Sequence, residues 1–130
     1  MSENDIRLVS IVDDDESLRR SVRNLLSSVG FRVETFASAE AFLQSAHRSN
    51  TGCVVLDLRM PGMSGLDLLM HLGATGTRIP VVILTAHSDD DDARRRTLQA
   101  GAFAFLGKPF HGEALLGAVR EALEETGPRS

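Results

Sequence analysis

The chain has no tryptophan, no tyrosine and a single cysteine. Without the first two, the commonest platforms for stacking nucleic-acid bases are missing, although six phenylalanines remain. One cysteine excludes an internal disulfide, and Cys53 stands inside an apolar run, so it reads as a small buried hydrophobe rather than a nucleophile or ligand. No apolar stretch reaches membrane-spanning length. Met1 to Ile6 is polar where a secretory signal needs a basic start and an apolar middle, so a soluble, cytoplasmic protein with no membrane role is expected. Positive charge is also scarce, the formal net charge being -4. Grip on a phosphate backbone depends on clustered Lys and Arg that displace counterions, so direct nucleic-acid binding by this domain is not expected. The one basic cluster, Arg94-Arg95-Arg96, follows Asp89 to Asp92, and acids then bases along one segment complement a helix dipole.

What is present fits one compact domain: 130 residues of mid-range apolar content with no biased tract. Leu8 to Val12 is an apolar, β-branched run that stops at Asp13-Asp14-Asp15-Glu16. From Ser17, Leu18, Val22, Leu25, Leu26 and Val29 recur at helical spacing, and Gly30 stands as a C-terminal stop. Phe31 to Phe36 alternates as a half-buried strand. Ser38 then caps a predicted helix with Ala39, Phe42, Leu43 and Ala46 inward. The next apolar run, Cys53 to Leu56, ends at Asp57 and enters the turn-forming stretch Arg59 to Gly62. Met63, Leu66, Leu69, Met70 and Leu72 predict a third helix starting near Ser64. Val81 to Leu84 is a fully apolar strand ending at Thr85. Ser88 or Asp89 caps a predicted fourth helix through Ala100, with a narrow apolar face of Ala93, Thr97, Leu98 and Ala100 that should hold it loosely. Phe103 to Leu106 is a fifth strand ending at Gly107-Lys108-Pro109, and the last helix runs from about Gly112 to Glu125. Five strands alternating with five helices predict an α/β fold, a parallel sheet wrapped on both faces with right-handed crossovers. Its core is about 6–125, and 126–130 is a tail or the start of a linker.

In such a sheet the functional groups belong at the C-terminal strand ends. Those ends carry Asp13 and Asp14, Asp57, Thr85 and Lys108. Several carboxylates in one crevice repel, two unit charges about 4 Å apart costing roughly 4 kcal/mol at an effective dielectric near 20, so a cation or a shared proton is required. Lys108 supplies one positive charge. A hard divalent ion with oxygen ligands, Mg2+ or Mn2+, suits the remainder. The set suits phosphoryl chemistry: Asp57 as nucleophile, the metal and Lys108 as neutralisers of phosphoryl oxygens, and the Thr85 hydroxyl as donor. Each residue alone has an ordinary structural role, since Asp13 or Asp14 can cap the first helix, Thr85 suits a strand and Lys108 suits solvent. The combination is much less easily accidental.

Ile11-Val12-Asp13-Asp14-Asp15-Glu16, Asp57 through Gly65 (DLRMPGMSG), Thr85-Ala86-His87 and Lys108-Pro109-Phe110 together resemble the receiver domain of bacterial response regulators, in family order and spacing over roughly residues 6 to 125. The resemblance implies the flavodoxin-like (βα)5 three-layer sandwich with strand order 2-1-3-4-5. It implies that Asp57 accepts a phosphoryl group from the phosphohistidine of a sensor histidine kinase or phosphotransfer protein. Asp14, Asp57 and the Arg59 backbone carbonyl would bind Mg2+, with Asp13 assisting through water. Thr85 and Lys108 would hold the acyl phosphate, and Phe105 matches the aromatic that turns inward when the threonine moves, although Phe103 and Phe105 could equally be core. Arg59 and His87 match positions that tune phosphoryl lifetime. The Lys108-Pro109 bond would be cis by analogy, where sequence alone favours trans. His47, His71 and His111 read as surface residues.

Two functions from different classes compete. One is a phospho-switch that shifts helix four, strand five and helix five. The other is a Mg2+-dependent aspartyl-phosphate phosphohydrolase with many turnovers, disfavoured because the chain lacks a cap or substrate-binding insertion. A constitutive module with an inert site is disfavoured because no matched position is replaced. The motifs look most like receivers joined to LuxR-type DNA-binding domains, as in FixJ-like regulators. No effector follows Glu125, so either a fragment of a transcription regulator or a receiver acting alone through protein partners is expected. If dimerisation transmits the signal, the helix four, strand five and helix five surface is the preferred face of a homodimer. Opposite charges at Asp89 to Asp92 and Arg94 to Arg96 could pair there or be a solvated face.

Overall fold

Apolar runs that end at acids or turn residues form the strands, and helices pack over both faces of the sheet they build. The computed structural model describes residues 8–46 and 48–125. In chain order the elements are β1 (Leu8–Val12), α1 (Glu16–Ser28), β2 (Arg32–Phe36), α2 (Ala39–Gln44), β3 (Thr51–Leu56), α3 (Gly65–Ala74), β4 (Val81–Thr85), α4 (Asp91–Gln99), β5 (Ala104–Gly107) and α5 (Gly112–Glu125), with a 3-10 turn at Arg48–Asn50. The strands are all parallel in the order β2-β1-β3-β4-β5, with Val12 beside Leu56, Leu56 beside Ile83 and Thr85 beside Gly107. This is the flavodoxin-like three-layer sandwich.

Period-two alternation on strands buried on both faces divides the core. Val9, Ile11, Cys53, Val55, Val82 and Leu84 meet Val22 and Leu26 of α1 and Leu115, Val119 and Leu123 of α5. Val12, Val54, Leu56, Val81, Ile83 and Phe105 meet Phe42 of α2 and Leu68, Leu69 and Leu72 of α3. The two layers hold the central strand ends in place, because shifting β1, β3 or β4 would expose side chains that are now 0–2% accessible.

Several local expectations are corrected. α1 is capped by Asp15, whose side chain accepts from the Ser17 and Leu18 N–H groups, and not by Asp13 or Asp14. Val29 is the C-cap residue and 41% exposed rather than inward. α2 does start at Ser38 but ends at Gln44, leaving Ala46 exposed. On α3 the buried stripe is Gly65, Leu68, Leu69 and Leu72, an i, i+3, i+4, i+7 set that excludes Met70, which is 57% exposed. α4 is capped by Asp90, not Ser88 or Asp89, and Leu98 points outward at 42% exposure. β3 begins at Thr51, two residues earlier than the apolar run, because the Thr51 hydroxyl is buried in a 2.7 Å hydrogen bond with Ser10. β5 starts at Ala104, leaving Phe103 ahead of it. The readings of His47, Met1 to Ile6 and Thr126 to Ser130 fall outside the described residues.

Candidate functional site

The loops after β1, β3 and β5 carry charged groups to the C-terminal edge of the sheet, where they converge. Asp13 follows β1 and is 2% exposed, and Asp57 follows β3 and is 7% exposed. The Asp57 N–H donates to the Val12 carbonyl, so the two strand ends are locked side by side. One carboxylate oxygen from each of Asp13, Asp14 and Asp57 lies within 4.8 Å of the other two. Into this group reaches Lys108 from the end of β5, its Nζ 2.9 Å from Asp13 Oδ2 and 3.5 Å from Asp57 Oδ2. Asp13 also accepts from the Asp15 N–H at 2.9 Å, while the Arg19 guanidinium donates to the Asp13 carbonyl.

The electrostatics are unbalanced toward negative charge. Three carboxylates face one ammonium. Burial raises the Asp57 carboxyl above its ordinary range and the neighbouring Asp13 adds to the rise, against the pull of Lys108 and of the Arg59 and Leu58 N–H groups. For Lys108, burial works against the charge, but the hydrogen bond and the attraction to Asp13, with Asp57 behind it, prevail and hold the ammonium above its usual range. Lys108 gives its short contact to Asp13, so of the two buried carboxylates Asp57 is the less compensated. An all-oxygen donor set with excess negative charge is what a hard divalent cation requires, so the residues present fit one.

The remaining predicted residues are distributed around this group. Thr85 is fully buried at the end of β4, its Oγ1 accepting from the His87 N–H at 3.1 Å, and its carbonyl accepts from the Lys108 N–H. His87 is half-buried. The Arg59 side chain pairs with Asp90 at 3.6 Å, at the start of α4. Phe105 is 7% exposed and lies under the Arg94 guanidinium, 5.4 Å from ring centroid to Cζ. The Lys108-Pro109 peptide is cis. On α4, Asp92 pairs with Arg95 and Arg96 of the same helix.

Two features of the loop after Asp57 were not read from the sequence. Gly65 sits so close to the preceding strand end that a Cβ there would overlap the Asp57 carbonyl and come within 2.8 Å of Leu58 Cα. Glu40, on α2, accepts a hydrogen bond from the Met63 N–H at 2.9 Å. The Gly65 signal was visible as a small residue in a helix start, whereas a contact between residues 23 positions apart leaves no local trace.

The response regulator receiver domain family matches residues 9–120. The chain belongs to this family. The receiver is 43% identical over 117 residues to the response regulator protein TodT of Pseudomonas putida, covering 90% of this chain and 51% of TodT. It is 43% identical over 115 residues to the transcriptional regulatory protein FixJ of Azorhizobium caulinodans, covering 88% of this chain and 54% of that protein. The solved structure of the response regulator StyR matches with a TM-score of 0.84 at 48% identity, over 92% of this chain and 60% of StyR. The receiver therefore spans about half the length of the curated relatives it matches. It is a two-component signalling domain of a switch family, and the described residues contain no helix long and apolar enough to cross a membrane.

Proposed function

We propose that this receiver is a phospho-accepting switch in which Asp57 takes a phosphoryl group from the phosphohistidine of a partner histidine kinase or phosphotransfer protein. The observation that carries this reading is the convergence of Asp13, Asp14 and Asp57 within 4.8 Å around a single ammonium. An Asp57 oxygen attacks phosphorus, the new O–P bond forms as the P–N bond breaks, and the departing imidazole nitrogen keeps the electron pair and takes a proton. The ammonium of Lys108 balances charge on the phosphoryl oxygens. The hydroxyl of Thr85, whose oxygen already accepts from the His87 N–H, keeps its proton available to donate to the product. Asp13, Asp14, Asp57 and the Arg59 carbonyl would hold Mg2+ or Mn2+, which when bound supplies the further positive charge that three carboxylates and a phosphoryl group demand.

The output follows from the neighbouring strands. Thr85 and Phe105 lie on paired strands two register steps apart, which supports a coupling between the phosphoryl site and the surface of α4, β5 and α5. Arg59 and His87 flank the site and set the lifetime of the product. By likeness to FixJ, a transcriptional regulatory protein, the switch would control transcription through a further domain of a longer cytoplasmic protein, with residues 1–130 forming the receiver. Phosphoramidate, a small phosphodonor with a P–N bond, tests the chemistry. With Mg2+ it should add one phosphoryl group per chain, and chelation should abolish the reaction. No adduct in Mg2+, or continuous release of phosphate from small phosphate esters at ordinary enzymatic rates, would contradict the switch.

A further inference from the structure

We propose that Glu40 is a positioning residue for the phospho-acceptor loop, its carboxylate reaching from the first turn of α2 to fix the turn that carries the Arg59 carbonyl. The inference rests on the proposed metal-dependent role of Asp57 and deepens it. Arg59 to Met63 runs between two rigid elements, β3 and α3, and its far end is shaped by Gly62 at φ +77°, a conformation most side chains avoid. Against that turn lies Glu40. Its Oε2 accepts from the Met63 N–H at 2.9 Å and sits 2.7 Å from where a Cβ on Gly62 would be. A side chain at residue 62 would therefore evict the carboxylate, so the glycine serves both the turn and the contact.

The contact is directional. A carboxylate accepting a backbone N–H makes the stronger, charge-assisted kind of hydrogen bond. The Met63 N–H draws the Glu40 carboxyl below its ordinary range, as does the N–H of Glu40 itself, one of the donors left open at a helix start. The capping box at Ser64 and Asp67 fixes the next residues, with Ser64 Oγ accepting from Asp67 N–H and Asp67 Oδ2 from Ser64 N–H. Thus the loop is held at Asp57 by β1, at Ser64 by its cap and at Met63 by Glu40. The Gly65 N–H also ties back to the Leu58 carbonyl at 2.9 Å, so Glu40 is the tie on the α2 side, and without it the span from Arg59 to Met63, with the Arg59 carbonyl in it, is less constrained.

The test uses Glu40→Ala, Glu40→Gln and Gly62→Ala with two readouts. The first is hydrogen exchange of the Met63 and neighbouring amides in metal-free protein, and the second is calorimetric titration with MgCl2. Glu40→Ala should speed the Met63 exchange and weaken Mg2+ binding, each about fivefold, with the metal-free melting temperature within about 2 °C of wild type. Glu40→Gln keeps an acceptor oxygen and should stay close to wild type, while Gly62→Ala, which adds strain at φ +77° to loss of the contact, should show both changes together with a lower melting temperature. Unchanged exchange in Glu40→Ala overturns the contact, and faster exchange with unchanged Mg2+ affinity overturns the positioning role alone. A wild type that binds no Mg2+ overturns the phospho-acceptor reading, and this role with it.

Discussion

Replacing Lys108 by Met removes the one cation that, among the described residues, pairs with the buried acids, while keeping most of the alkyl stem. Lys108 Nζ lies 2.9 Å from Asp13 and 3.5 Å from Asp57, with the lysine side chain 18% exposed and the Asp13 side chain 2%. Each contact corresponds to about 5 kcal/mol of gross attraction at an effective dielectric near 20, much of it offset by desolvation. Breaking a buried pair by deleting one partner costs about 3–5 kcal/mol. Residual access of water to this site lowers the expectation to about 2–3 kcal/mol at neutral pH. The pH window has two edges. At the acid edge the Asp57 carboxyl is raised by burial above its ordinary range, so it takes up its proton before the unfolded chain does, and its share of the contact with Lys108 fades as pH falls through the folded value. At the alkaline edge, the folded Lys108 is raised above 10.5, so its stabilisation is complete below that value and is lost as pH climbs through the folded one. Mg2+ supplies the missing charge, and at about a hundredfold excess over its dissociation constant it should return about 2.7 kcal/mol to the variant. Urea unfolding followed by circular dichroism measures each quantity. Equal stability of the two proteins at pH 7, or no recovery of the variant in Mg2+, would refute the electrostatic reasoning and leave only altered packing.

Three further outcomes follow from the same structure. Gly65→Ala forces a Cβ into the Asp57 carbonyl and should cost about 1–3 kcal/mol, with displacement of the acceptor seen as weaker Mg2+ binding. Asp90→Ala removes the α4 cap bonded to the Ala93 N–H and should lower stability by about 1 kcal/mol in urea unfolding, whereas Asp90→Asn should retain most of it. Cys53 is fully buried and its thiol is pushed up to about 12 by that burial, so it should resist alkylation in the native protein at pH 8 and react promptly in denaturant.

The central strands were legible because parallel strands buried on both faces read as uninterrupted apolar runs, β2 was legible from its alternation, and the acids, Thr85 and Lys108 mark the strand ends that form the site. The site followed from those ends. What stayed hidden depended on tertiary contacts. Ser88 and Asp89 to Asp92 are all capable caps, and only the packing of α4 decides that Asp90 meets an open N–H. Asp13 looked able to cap α1, but its carboxylate is committed to Lys108 and the Asp15 N–H, so Asp15 takes the cap. Met70 and Leu98 are apolar without being core, since each follows a buried residue directly and the helical rotation per residue turns it away from the buried face. The pairing of the Arg59 side chain with Asp90 at the start of α4 is likewise a long-range contact with no local trace in the sequence.

The central claim is that Asp57 is the phosphoryl acceptor. Treatment of the protein with phosphoramidate and Mg2+, followed by borohydride reduction and peptide mass mapping, locates the acyl phosphate by converting the modified aspartate to homoserine. The account predicts a single modified position, Asp57, and no stoichiometric product from Asp57→Asn. Persistent stoichiometric labelling of Asp57→Asn, or a wild-type adduct mapped to any other residue, would contradict it.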